Sequence, residues 1–282
     1  MSDYMDDQAA GLRRLMAEPK PRIVSILSAS LNMRANAVNT QPRLLTNLAA
    51  SIRCHGSDVL IVHAAQESDE ATTVYELEAV PALADVANSK TTLNNAIRGS
   101  SHGCYVARLL RRNNIHMPLE GTSATQLNRL FNEIAGKYEI VLVDTVLNRN
   151  DVLALKALNE GEILIQLDIQ PESIKQAYVL IKKICSQLGR RPFGIIVSDA
   201  TEAQAEAVFR NIAQVARRFM QVELEFFGAI PTDTHIERAE RLGRAVIDAF
   251  PMATASLAFK ELAQRLDYRY DYTADAQQLS YS

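Results

Sequence analysis

Residues 22–52 constrain the fold most, because the hydrophobic period changes part-way along them. Ile23-Val24-Ser25-Ile26-Leu27 is short, β-branched and almost wholly apolar, the composition of a strand buried on both faces of a parallel sheet. Across 43–52, apolar residues recur at Leu44, Leu45, Leu48, Ala49 and Ile52, a helical spacing. In nucleotide-binding α/β proteins the turn between such a strand and helix holds phosphates. Glycines there let the backbone approach, and a lysine counters the charge. Between Ser28 and Arg43 this chain has neither glycine nor lysine, and Pro42 stands where the helix opens. Proline has no N–H to offer an anion. The frame of a phosphate loop is present without its chemistry.

The same alternation continues downstream. Val59–His63, Ile140–Asp144 and Leu224–Ile230, with 163–167 and 193–197, read as buried strands, and Tyr105-Val106 as a short one. Helical spacing marks 80–87, 93–97, 151–159, 172–188 and 201–219. A further helix, capped by Ser123, reaches Lys137, and a final one runs from Ser256 to near Leu266. Strands separated by helices predict an α/β fold, a single doubly wound and mainly parallel sheet. No Pro/Gly-rich linker divides it. The expected organisation is an arm at 1–20, one α/β domain at 21–267 and a polar tail at 268–282. In the arm, Asp6 or Asp7 can cap a short helix with Leu12, Leu15 and Met16 on one face, ended by Pro19 and Pro21. Helices this short are marginal alone, so the arm is expected to order on docking.

A formal charge of −3 gives no general attraction to nucleic acid or anionic lipid. No apolar run approaches the roughly 20 residues that span a bilayer, and the acidic N-terminus lacks the apolar stretch of a secretory signal. The expected location is the cytoplasm. Cys54, Cys104 and Cys185 lie far apart and read as buried structural thiols, with no metal site. Arg108, Arg111 and Arg112, with Asn113 and Asn114, read as a solvated helix face.

Several motifs resemble those of the MinD/ParA-like P-loop ATPases, and within them the flagellar-number regulators called FlhG, YlxH or FleN. Gln170-Pro171-Glu172-Ser173-Ile174 with Ala177-Tyr178 and Ile181-Lys182 is similar to the PEPTSITDAYALIK segment of that family. Gly228-Ala229-Ile230-Pro231-Thr232-Asp233 resembles its GxIPxD turn, and residues 253–266 its closing helix. Asp7-Gln8-Ala9-Ala10-Gly11-Leu12-Arg13 fits the DQAxxLR motif by which FlhG stimulates the signal-recognition-like GTPase FlhF. The resemblance therefore implies a MinD/ParA-like fold and an FlhF-type partner contacted through Asp7, Gln8, Ala9, Leu12 and Arg13. Gln8 would be the group offered to the GTPase and Leu12 the apolar anchor. A flagellar transcription regulator or basal-body components are the other partners it implies.

At the ATP site this sequence departs from the family. Aligned on Asn47-Leu48-Ala49, Gln41 falls at the Walker lysine, Pro42 at the Mg-binding Ser/Thr and Asn36 at the signature lysine. The second strand ends in His63 where the family has an aspartate that helps position water and magnesium. Ser198 takes the place of an adenine-reading Asn. Asp144, ending a later strand, keeps the Walker-B-like position, or else serves as a strand-end carboxylate satisfied by a helix N-terminus. His63, with no partner evident in the sequence, offers only a weak case for a general base. Together these departures point to a pseudo-ATPase that uses no cofactor, unless Arg34 in the loop replaces the lysine and the atypical loop holds ATP and Mg²⁺. Family members usually end in a basic amphipathic helix that docks on membrane. After Leu266 this chain has Arg269 against Asp267, Asp271 and Asp275, which argues against direct membrane binding. Without a nucleotide clamp, a monomer or a constitutive dimer is expected.

Overall fold

The structure is a computed structural model that describes residues 21–29, 40–65, 69–111 and 121–279, at 69 and 267–279 the backbone only. Its strands, in chain order, are β1 (Arg22–Ser28), β2 (Val59–His63), β3 (Ile97–Gly99), β4 (Tyr105–Arg108), β5 (Ile140–Asp144), β6 (Glu162–Asp168), β7 (Phe193–Ser198) and β8 (Leu224–Ile230). Among the described residues they form one eight-stranded sheet in the order β3-β4-β2-β5-β1-β6-β7-β8. Every neighbouring pair is parallel except the edge pair β3–β4. This is the doubly wound, mainly parallel sheet that the strand spacing predicts.

Helices cover both faces: α1 (Gln41–Cys54), α2 (Asp69–Val74), α3 (Leu83–Ala87), α4 (Leu93–Ala96), α5 (Gly121–Ala135), α6 (Pro171–Leu188), α7 (Glu202–Met220), α8 (Thr234–Arg241), α9 (Val246–Ala249) and α10 (Thr254–Leu279). Alternate strand residues feed opposite cores, as a period of two requires. Val24, Ile26, Ile61 and Leu142 pack with Leu44, Leu45 and Leu48 of α1 and with Phe259 and Leu262 of α10. Leu27, Val62, Val143 and Ile165 face the other way, onto Phe131 of α5, Ile181 of α6 and Ile212 of α7. Each such side chain contributes about 1.5–3 kcal/mol on burial. At the amino end of the sheet, Arg22 Nε and Nη2 donate to the two carboxylate oxygens of Glu162 at 2.6 and 2.8 Å, tying β1 to β6.

Several local expectations are corrected. Residues 151–159 form no α-helix: Asn148 Oδ1 accepts from the N–H groups of Asn150 and Val152, and Asp151 lies at φ 60°. Only a 3₁₀ turn, Lys156–Asn159, remains. Ser123 lies inside α5, which begins at Gly121. α10 opens at Thr254 and continues past Leu266, while Ser256 Oγ donates to the Phe250 carbonyl at 2.7 Å. The thiols differ from one another: Cys104 is buried, Cys185 half-buried and Cys54 exposed. Arg108 and Arg111 do not share a solvated helix face. Arg108 ends β4 and donates to the Leu77 carbonyl, and Arg111 pairs with Asp85 at 2.7 Å. Among the described residues, no helix is long and apolar enough to cross a membrane.

Candidate functional site

The carboxyl ends of β1, β5 and β2 lie side by side at the start of α1, and most of the described site candidates meet there. Thr40 precedes α1 in an extended conformation, but its Oγ1 donates to Glu70 Oε1 at 2.7 Å and caps nothing. Gln41, the first helical residue, is buried, and its Nε2 donates to the Ile26 carbonyl on β1 at 2.6 Å. Pro42 follows within the first turn. Proline is well tolerated at a helix start, yet it removes one of the N–H groups that a helix end offers an anion. Arg43 Nε lies 2.9 Å from Glu240 Oε2 and 3.7 Å from Glu70 Oε1.

Ile26 is the register partner of Asp144, and Asp144 in turn is the partner of His63. Counted by twos along their strands, His63 and Asp144 share the sheet face that carries α1. Both are nearly inaccessible, at 5% and 2%. His63 Nδ1 lies 2.7 Å from Asp144 Oδ2, and the Tyr75 hydroxyl donates to the same oxygen at 3.0 Å. The Tyr75 and His63 rings are 5.5 Å apart, inclined at 50°. Burial and the adjacent Asp144 carboxylate push the Tyr75 pKa well up, so the hydroxyl keeps its proton and remains a donor. His63 thus has a partner that sequence reading did not find. Among the described residues, Asp144 is satisfied by two side chains and by no helix N-terminus. The Nε2 of His63 is buried with no hydrogen-bond partner among the described residues.

Ser198 is apart from this cluster. It ends β7, beyond β6 from β1, and its Oγ accepts from Gln166 Nε2 at 2.9 Å, with both residues buried. Asp7, Gln8, Ala9, Leu12, Arg13, Arg34 and Asn36 lie outside the described residues. Sequence reading missed Tyr75, which falls just after α2 in a stretch without a strong period. It also missed the role of Asn47. Its Oδ1 accepts from the Val246 N–H at 2.8 Å, while its Nδ2 donates to the Arg43 carbonyl. An open cleft beside α1, lined by Arg43, Thr46, Thr73, His102, Glu240 and Arg244, includes none of the His63 cluster.

No family model matches the chain. It is 28% identical over 222 residues to the antiactivator FleN of Pseudomonas aeruginosa, covering 78% of this chain and 79% of that protein. The fold is similar to that of Aquifex aeolicus MinD, with a TM-score of 0.61 at 20% identity over 87% of this chain and 96% of the other. Pyrococcus horikoshii MinD, solved with Mg-ADP, gives 0.64 at 18% identity over 88% and 96%. A ParA-family ATPase from Chlorobium tepidum gives 0.60 at 18% identity over 88% and 99%. The chain has a MinD/ParA-like fold and a sequence similar to FleN, an FlhG-type protein. In this FlhG-like chain the strand ends that flank α1 are the candidate site, and their polar side chains are bonded mainly to one another.

Proposed function

We propose that this chain is a regulator of flagellar number and placement that acts through protein contacts, without an ATP switch. The observation that carries the second half of the proposal is the enclosure of Asp144 by His63 and Tyr75. The described residues do not fit a Mg-nucleotide. The carboxylate available to the metal is already hydrogen-bonded twice, Gln41 is neutral and bonded to Ile26, and Pro42 withholds an N–H from the helix end. The first half rests on likeness to FleN and on the Asp7–Arg13 motif, whose family role is contact with an FlhF-type GTPase. A segment bearing Gln8 beside an apolar anchor at Leu12 suits a regulator that folds onto a GTPase and adjusts its catalytic site.

Two measurements test this. Calorimetric titration of the purified chain with Mg-ATP should give no binding heat at millimolar nucleotide, and tight binding would defeat the nucleotide-free reading. Stimulation of an FlhF-type GTPase should be lost in Gln8→Ala, and unchanged stimulation would remove the arm's assigned role. A second reading is favoured by the relative's description as an antiactivator, namely that this chain restrains a flagellar transcription regulator. That activity would use the α/β surface and survive deletion of residues 1–20, whereas GTPase stimulation would not.

A further inference from the structure

We infer that His63 and Tyr75 together occupy the seat at Asp144 that a divalent cation would otherwise take, so that β2 and β5 are latched by the chain's own hydrogen-bond donors. The inference deepens the nucleotide-free reading above and rests on it. A carboxylate as inaccessible as Asp144 needs a cation or several donors to offset the loss of water. Here both donors converge on one oxygen, Oδ2, at 2.7 and 3.0 Å, and they arrive from different parts of the fold. His63 is the register neighbour on β2, and Tyr75 follows α2. Backbone bonds close the same level: Ala64 N–H donates to the Asp144 carbonyl at 2.7 Å, Leu109 N–H to the His63 carbonyl at 2.8 Å and Thr145 N–H to the Ile26 carbonyl at 3.1 Å. A cation approaching Oδ2 would have to displace an imidazole and a phenol from a buried face.

The geometry also says what undoing the latch should do. An aspartate at 63 would stand beside Asp144 on the neighbouring parallel strand, with side chains on the same face. Two carboxylates so placed repel unless a proton or a divalent cation joins them. The experiment is thermal unfolding of the full chain in EDTA and in millimolar Mg²⁺ or Mn²⁺, without nucleotide. The wild-type midpoint should be the same in both. Tyr75→Phe should melt a few degrees lower, equally in both. His63→Asp should melt lower in EDTA and recover by several degrees with the metal. A metal-induced rise in the wild type, or no metal response in His63→Asp, overturns the inference.

Should His63→Asp not fold, Mn²⁺ binding by water-proton relaxation decides. Wild type and Asp144→Asn should behave alike, and a difference between them overturns the inference. The two proposals fail separately. Binding of Mg-ATP with no response to metal alone defeats the nucleotide-free function, while a response to metal alone defeats the latch.

Discussion

A Cβ built on Gly194 would lie 2.3 Å from Leu164 Cδ2 and 2.7 Å from Phe227 Cδ2, and both side chains are buried. The contact lies beside a β-bulge in β8, where Ile195 pairs with Phe226 and Ile196 with Gly228, and Phe227 is the extra residue of the bulge. Gly194→Ala should therefore cost about 1–3 kcal/mol, the usual penalty of overpacking a filled core. A lower urea midpoint with an unchanged slope would show this, and a wild-type midpoint would mean that Leu164 and Phe227 shift freely. The same residue scale separates what sequence could reveal at the site from what it could not. His63 and Asp144 were each legible as the last residues of apolar runs, and adjacency of β2 and β5 is all that their pairing requires. Tyr75 was not legible. It reaches Asp144 through the path of the chain after β2, which no hydrophobic period encodes.

Short elements at the carboxyl end of the sheet are held by side-chain ties as well as by buried apolar residues. Asp233 caps α8, its Oδ1 accepting from His235 N–H at 2.9 Å, while Oδ2 accepts from Ala255 N–H at 3.0 Å in the first turn of α10. Burial raises the Asp233 pKa. The Ala255 and His235 N–H groups and the His235 ring outweigh it, and the carboxyl titrates below its ordinary value. A carboxyl lowered in the folded state contributes stability that is complete above the ordinary carboxylate range and is lost as pH falls through its lowered value. Asp233→Ala should thus destabilise the chain by about 1–2 kcal/mol at neutral pH, the usual cost of losing a cap. The gap from wild type should narrow in acid. Urea midpoints at neutral and acidic pH decide, and a gap that widens in acid would contradict the assignment. These ties explain why α8 and α9 escaped the sequence reading. α8 buries only Ile236 and Ala239, and α9 is held in part by Asn47, which is 199 residues away from its partner Val246. By contrast, β2 and β5 match their apolar runs residue for residue and are buried along their whole length, because a strand buried on both faces needs no distant partner to be recognised.

Across the whole molecule, two cores on opposite faces fix the sheet, and the row Gln41–Ile26–Asp144–His63–Tyr75 closes its carboxyl end on the α1 side. The likeness to MinD/ParA-like ATPases raises the case of an assembly clamped by nucleotide at this end. Such a clamp would need groups at the start of α1 that hold phosphate charge. Here the first turn of α1 carries Gln41 and Pro42, and Arg43 is engaged with Glu240. An assembly that depended on nucleotide would have little on these residues to hold it, so association of this chain should be set by its protein surface alone. Light scattering should give the same molar mass with and without Mg-ATP, whether that mass is of one chain or two. A mass that doubles only when Mg-ATP is added would mean that residues 30–39 form a working phosphate cradle despite lacking glycine and lysine. Arg34→Ala would then be the variant to make, and abolition of the nucleotide-driven dimer by that change would identify Arg34 as the cation that replaces the missing lysine.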